Sequence, residues 1–121
     1  MEAYEMLKIA ANAVNEKKAK DIVGIKIESL TVLGDYFLIC TANSSTQVRA
    51  ICDEVEEKLE EAGIRPHHIE GKATGWVALD YGSLIVHVFG RNEREFYGLE
   101  RMWSDGEAVD LSEILEKPQG E

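Results

Sequence analysis

Ala3, Leu7, Ala10, Ala11 and Val14 recur at the three-to-four spacing of a helix, with Glu and Lys between them. That stripe predicts an amphipathic helix over residues 2–18. From Asp21 to Ile27 the pattern changes to β-branched residues and predicts a strand. Gly34 then punctuates the chain, and Asp35-Tyr36-Phe37-Leu38-Ile39-Cys40-Thr41 reads as a second, more deeply buried strand. In Asn43-Ser44-Ser45-Thr46-Gln47, Ser44 is placed as a helix cap with Gln47 three residues on. Val48, Ile51, Cys52, Val55 and Leu59 continue an apolar face from that cap, and Gly63 supplies a left-handed stop.

Residues 64–71 predict a short strand at a sheet edge, because Pro66 cannot donate to a ladder. Two apolar runs, 75–80 and 84–90, flank Asp80-Tyr81-Gly82-Ser83 and predict a hairpin. Alternation puts Trp76, Ala78 and Asp80 on one face of its first strand and Val77, Leu79 and Tyr81 on the other. The second strand is apolar on both faces and is expected inside the sheet, whereas the first ends in an aromatic and carboxylate cluster. Glu93 to Trp103 returns to helical spacing, with Phe96, Leu99 and Trp103 expected inward. The order α, β, β, α, β, β, β, α predicts one α/β (α+β) domain over 1–115, a mixed sheet of about five strands with flanking helices. Residues 110–115 could add an amphipathic turn or an extended arm, and 116–121 are expected to be a disordered acidic tail.

Composition narrows the possibilities. A chain of 121 residues, 45% hydrophobic and 30% charged, has the totals of a single globular domain. Its 23 acidic and 13 basic residues give a net charge of -10, which disfavours direct nucleic-acid contact and anionic membranes and suits a basic partner. Six acids on the helix after Ser44, namely Asp53, Glu54, Glu56, Glu57, Glu60 and Glu61, concentrate that charge beside the single Lys58; such a run is usually a solvated face. Met1-Glu2-Ala3-Tyr4-Glu5 has no basic stretch followed by an apolar core, and no apolar run is long enough to span a bilayer, so a cytoplasmic protein is expected. Cys40 and Cys52 sit within regular elements and read as reduced, core-filling thiols.

The search for chemistry finds no convincing reactive set. His67 and His68 are adjacent on a strand and point to opposite faces, so only one could share a metal site with Glu70. His87, between Val86 and Val88, is expected to be hydrogen-bonded in the core or at its rim. Asp35, Asp80 and Ser83 loosely resemble the acids and Gly-Ser of metal-dependent nucleotidyl transfer, but no Asp-x-Asp holds a metal, and turn geometry explains Asp80 and Gly82. No catalytic residue, metal or cofactor is expected. Aromatics and an acid at the hairpin can fill a core edge or form a binding surface, where Trp and Tyr are favoured anchors.

Three segments, DYFLICTANSSTQVRAICDEVEEKL (35–59), GWVALDYGSLIVHVF (75–89) and REFYGLERMW (94–103), resemble the Iojap-like ribosomal silencing factors, and the likeness extends over about residues 4–115. The resemblance implies a non-catalytic protein with a nucleotidyltransferase-like fold. It would bind the large ribosomal subunit through that subunit's fourteenth protein and sterically block joining of the small subunit when nutrients are scarce. A role in assembling the large subunit is the alternative, and a metal-dependent nucleotidyltransferase the rival from another class. By the same matching the contact surface is expected at Trp76, Leu79, Asp80, Tyr81 and Gly82, with Glu70, Tyr97 and Arg101 beside it. Phe37, Val48, Ile51, Val86 and Leu99 are core by that matching. Gly34, Ser83 and Gly98 depart from the family's usual residues, the latter two by losing acids, and Gly98 is expected to weaken the last helix by about 1 kcal/mol relative to alanine. Exposed sheet edges and aromatics would also permit a homodimer.

Overall fold

The computed structural model describes residues 1–27, 34–71 and 75–118, with Met102 known only by its backbone. The first predicted helix is present as α1, Ala3–Glu16, burying Leu7, Ala10, Ala11 and Val14. The segment opened by Ser44 forms α2, Ser45–Glu61. Its cap forms as its residues require: the Gln47 amide donates to Ser44 Oγ at 3.1 Å, and Gln47 Oε1 accepts from the Asn43 amide at 2.6 Å. The Gln47 side chain also donates to the carbonyls of Lys17 and Lys18, tying the start of α2 to the end of α1. At the other end Gly63 adopts φ 85, and the Ile64 amide returns to the Leu59 carbonyl at 2.8 Å, a left-handed close.

The strands are β1 (Lys20–Lys26), β2 (Tyr36–Thr41), β3 (His68–Glu70), β4 (Trp76–Asp80), β5 (Leu84–Phe89) and β6 (Glu107–Val109). They make one mixed sheet in the order β3-β4-β5-β2-β1-β6. Only β2 and β5 run parallel; the other neighbours are antiparallel. As the pattern predicted, β3 lies at an edge and β5 lies inside. The sheet has six strands where about five were expected. The additional one, β6, is three residues long and exists because the free edge of β1 offers it a ladder, which no local pattern announces.

One correction concerns the carboxyl-terminal third. The helix expected over Glu93–Trp103 is broken at Gly98, which adopts φ 60 and separates α3 (Glu93–Tyr97) from α4 (Leu99–Met102). Phe96, expected inward, is consequently 80% exposed, while Leu99 is buried. The chain at Glu116 and Lys117 is bonded to α1. Leu111 and Ile114 are buried, Asn12 Nδ2 donates to the Ile114 carbonyl at 2.9 Å, and the Glu116 amide donates to Asn12 Oδ1 at 2.8 Å. Asn15 Nδ2 donates to the Lys117 carbonyl at 2.8 Å. Residues 119–121 lie outside the described chain.

Burial separates two layers. On one face of the sheet α1 and α2 cover the larger core, which includes Leu38, Cys40, Val77, Leu79, Tyr81, Leu84, Val86 and Val88. On the other face Ile25, Phe37, Ile39, Phe89 and Leu99 form a smaller cluster, with Trp76, Ile85 and Trp103 packed half-buried against it. The second layer is the thinner one: two short helices stand over it where the first has two long ones.

Candidate binding surface

The β4–β5 hairpin turns on Gly82, whose φ of 84 suits glycine and would strain a side chain. Asp80 Oδ1 accepts from the Gly82 amide at 2.8 Å and the Tyr81 amide donates to the Leu84 carbonyl at 2.8 Å. The Ser83 carbonyl then accepts the amides of Asp35 and Tyr36, at 2.8 and 3.0 Å, which fastens the turn to the start of β2. The imidazole of His67 lies over Gly82, so even a methyl group at that position would strike it. The turn is rigid by construction.

Trp76 and Asp80 share the face that α1 and α2 leave uncovered, but they occupy opposite ends of β4, about 13 Å apart along the strand. The aromatic and carboxylate cluster expected at one end of the strand is therefore a strip along it. Trp76 stacks on Phe89 with ring centroids 5.1 Å apart and packs against Tyr97 of α3 at 4.8 Å. Phe96 meets Tyr97 edge-on at 5.2 Å. Tyr97 is 42% exposed, and Phe96 is the most exposed large hydrophobic among the described residues. This makes a continuous aromatic surface running from β4 on to α3, and Gly98 creates it by ending the helix before Phe96 can turn inward.

Acids border the strip. Glu70 pairs in register with Ala78 and His68 with Asp80, so all four stand on the Trp76 side of the sheet. Glu70 is exposed and Asp80 half-buried, and neither is in an ion pair among the described residues. Their charge is available to an incoming cation.

The expected contact residues divide between the two faces. Trp76, Asp80, Glu70 and Tyr97 lie on the uncovered side, and Gly82 lies at its rim. Leu79 and Tyr81 are 0% and 4% exposed and point under α2, where Leu79 fills the core. The Tyr81 hydroxyl is buried without a hydrogen-bond partner among the described residues, and burial, with Glu56 nearby, pushes its pKa up. Arg101 is exposed and folds its guanidinium over Gly98, away from the hairpin. Arg94 is the arginine that organises this end: it donates to Glu100 at 2.7 Å, to the Asp21 carbonyl at 2.6 Å and to Thr41 Oγ1 at 2.9 Å. Its hydrogen bond holds the Glu100 carboxyl below the usual range.

The residues considered for catalysis do not assemble. Ser83 Oγ points to Met6 Sδ at 3.6 Å, and Asp80 is engaged in its turn. Among the described residues no three His, Cys, Asp or Glu side chains come together as a metal site. Cys40 and Cys52 are free and buried, and burial, with Cys52 beside it, pushes the Cys40 thiol up to about 12, where it is a poor nucleophile. His87 accepts the Trp76 indole N–H at 3.0 Å and is buried, which lowers its pKa to about 4 against a weaker opposite pull from Asp80. Sequence pattern placed His87 in the core but had no means of giving it Trp76 as partner. The signal was their positions two residues apart in hairpin register.

Comparisons with known proteins agree across the chain. Residues 1–121 match the family described as "Ribosomal silencing factor during starvation". A ribosomal silencing factor of Halalkalibacterium halodurans is 39% identical over 116 residues, 95% of this chain and 99% of the relative. The chloroplastic protein Iojap of Zea mays is 31% identical over 84% of this chain and 44% of its own length. A mouse protein named for mitochondrial assembly of the ribosomal large subunit is 30% identical over 75% of this chain and 42% of its own length. A crystal structure from Chromobacterium violaceum superposes with a TM-score of 0.83 at 31% identity, covering 100% of this chain and 98% of that one.

Proposed function

Because the chain belongs to the family of ribosomal silencing factors, we propose that it docks on the large ribosomal subunit and blocks joining of the small one by standing in the way. Its partner on this reading is the subunit's fourteenth ribosomal protein, met through the strip of Trp76 and Tyr97 with Glu70 and Asp80 at its border. The observation that carries the reading is that strip: half-buried and exposed aromatics on the thinly covered face of the sheet, beside carboxylates without ion pairs among the described residues. Aromatic anchors supply binding energy where water is excluded, and the acids select a basic partner. Leu79, Tyr81 and Gly82 serve the contact from behind, by holding β4 and its turn in place. Steric blocking needs no reaction, in keeping with relatives named as silencing factors. Its site of action on this reading is the cytoplasm.

Co-sedimentation tests the proposal. The purified chain should travel with isolated large subunits and not with assembled ribosomes; equal binding to both would remove the steric account. A second reading, in which the protein assists assembly of the large subunit, is favoured by the name of the mouse relative. Depleting the protein from growing cells separates the two. Accumulating large-subunit precursors would support assembly, and normal mature subunits with excess joining would support silencing.

A further inference from the structure

We propose that His87 positions Trp76 for docking: by accepting the indole N–H it fixes the ring so that a partner meets an apolar aromatic face and no free donor. This rests on the docking face proposed above. In the β4–β5 register Trp76 lies opposite Phe89 and Ala78 opposite His87, so the two rings are diagonal neighbours on the uncovered face. Indole has one donor, and neutral imidazole has one acceptor. Trp76 Nε1 and His87 Nδ1 stand 3.0 Å apart, and the bond uses both. The neutral imidazole therefore carries its proton on Nε2.

His87 is itself immobile. It is 5% exposed, the Phe37 ring stands edge-on to it at 4.7 Å, and Phe89 is stacked on it at 6.4 Å. A fixed acceptor fixes the direction of its donor. A flipped indole would leave Nδ1 buried and unmet, which penalises every other rotamer of the anchor. The ring held this way stacks on Phe89 and packs against Tyr97, so the hydrogen bond sets the β4 end of the aromatic strip. Nε2 finds no partner among the described residues. An apolar side chain would fill this place without that unmet donor; what it could not supply is the acceptor.

Asparagine and glutamine separate positioning from packing. The Oδ1 of asparagine falls near the place of imidazole Nδ1, whereas glutamine carries its acceptor one carbon further out. Binding to isolated large subunits is measured for wild type, H87N, H87Q, W76F and the W76F/H87Q double variant. H87N should bind within about threefold of wild type, while H87Q and W76F should each weaken binding by about tenfold, the worth of one hydrogen bond. H87Q should add less than about twofold to W76F, because the bond it removes is already gone. In the spectrum of the unbound protein the indole N–H signal lost in W76F should shift in H87Q and stay in H87N. Equal binding by H87N and H87Q, whether both strong or both weak, overturns the proposal, as does full additivity with W76F. A different failure, Trp76→Ala binding as wild type does, would strike at the docking face itself and leave the unbound-state spectrum to decide the role of His87.

Discussion

His87 spends its life uncharged. Its folded pKa of about 4 lies below the ordinary value of 6.5 because burial disfavours the imidazolium. The unfolded chain therefore binds a proton between those two values that the folded chain refuses, and stability falls as pH is lowered from 6.5 to about 4. The full span corresponds to a loss of ~3 kcal/mol. Denaturant melts at pH 7 and pH 4.5 should show a decline that is smaller in H87N; identical declines would assign the pH dependence to other groups. At Gly82 the constraint is steric. Its φ of 84 strains any side chain, and an added methyl would push the exposed His67 ring aside, so Gly82→Ala should cost about 1–2 kcal/mol, read from the same melts. An unchanged midpoint would mean that the turn relaxes freely.

At the scale of elements, Gly98 reverses its expected sign. As a residue inside a continuous helix it would weaken that helix, and alanine would improve it. At φ 60, between α3 and α4, glycine is the favoured residue, so Gly98→Ala should destabilise by about 1 kcal/mol. Thermal melting decides between the two: a rise would restore the continuous helix. The carboxyl-terminal arm makes a second prediction, since the Asn12 side chain bonds it at both Ile114 and Glu116. Asn12→Ala should cost about 2 kcal/mol and speed amide exchange at Glu116, and unaltered exchange there would mean that the buried Leu111 and Ile114, with the bonds of Asn15 and Glu16 to Lys117, suffice to hold the arm. Elements with strong local pattern were legible from sequence: α1, the capped α2, the edge strand β3 and the hairpin all follow from residue order. What escaped were β6 and the break at Gly98. A three-residue strand takes its stability from the edge it joins, and a helical period of apolar residues runs on through a glycine that the fold turns left-handed. Alternation likewise put Trp76 and Leu79 on opposite faces of β4. Which of those faces the long helices would cover is a property of packing between distant segments, and so the depth of Leu79 and Tyr81 was not readable.

The whole molecule divides its labour between two faces of one sheet. The helix-covered face supplies the core and stiffens the hairpin from behind, and α2 carries Asp53, Glu57, Glu60 and Glu61 outward on that side, with Glu54 and Glu56 half-buried. The opposite face, thinly covered, presents aromatics with Glu70 and Asp80 at their border, neither in an ion pair among the described residues. If the proposed partner is basic, a chain of net charge -10 approaches it with favourable steering, so binding to the large subunit should weaken as salt is raised, with screening over about 10 Å at 0.1 M. Salt-independent affinity would leave the aromatics as the sole source of binding. Trp76→Ala should cost at least ~2 kcal/mol of that binding with the fold intact. The most direct measurement follows joining itself. Purified large and small subunits are mixed at rising concentrations of the protein, and assembled ribosomes are read by light scattering. Joining should fall towards zero as the large subunit saturates and should be spared at the same concentration of Trp76→Ala; undiminished joining at saturating protein would contradict the account.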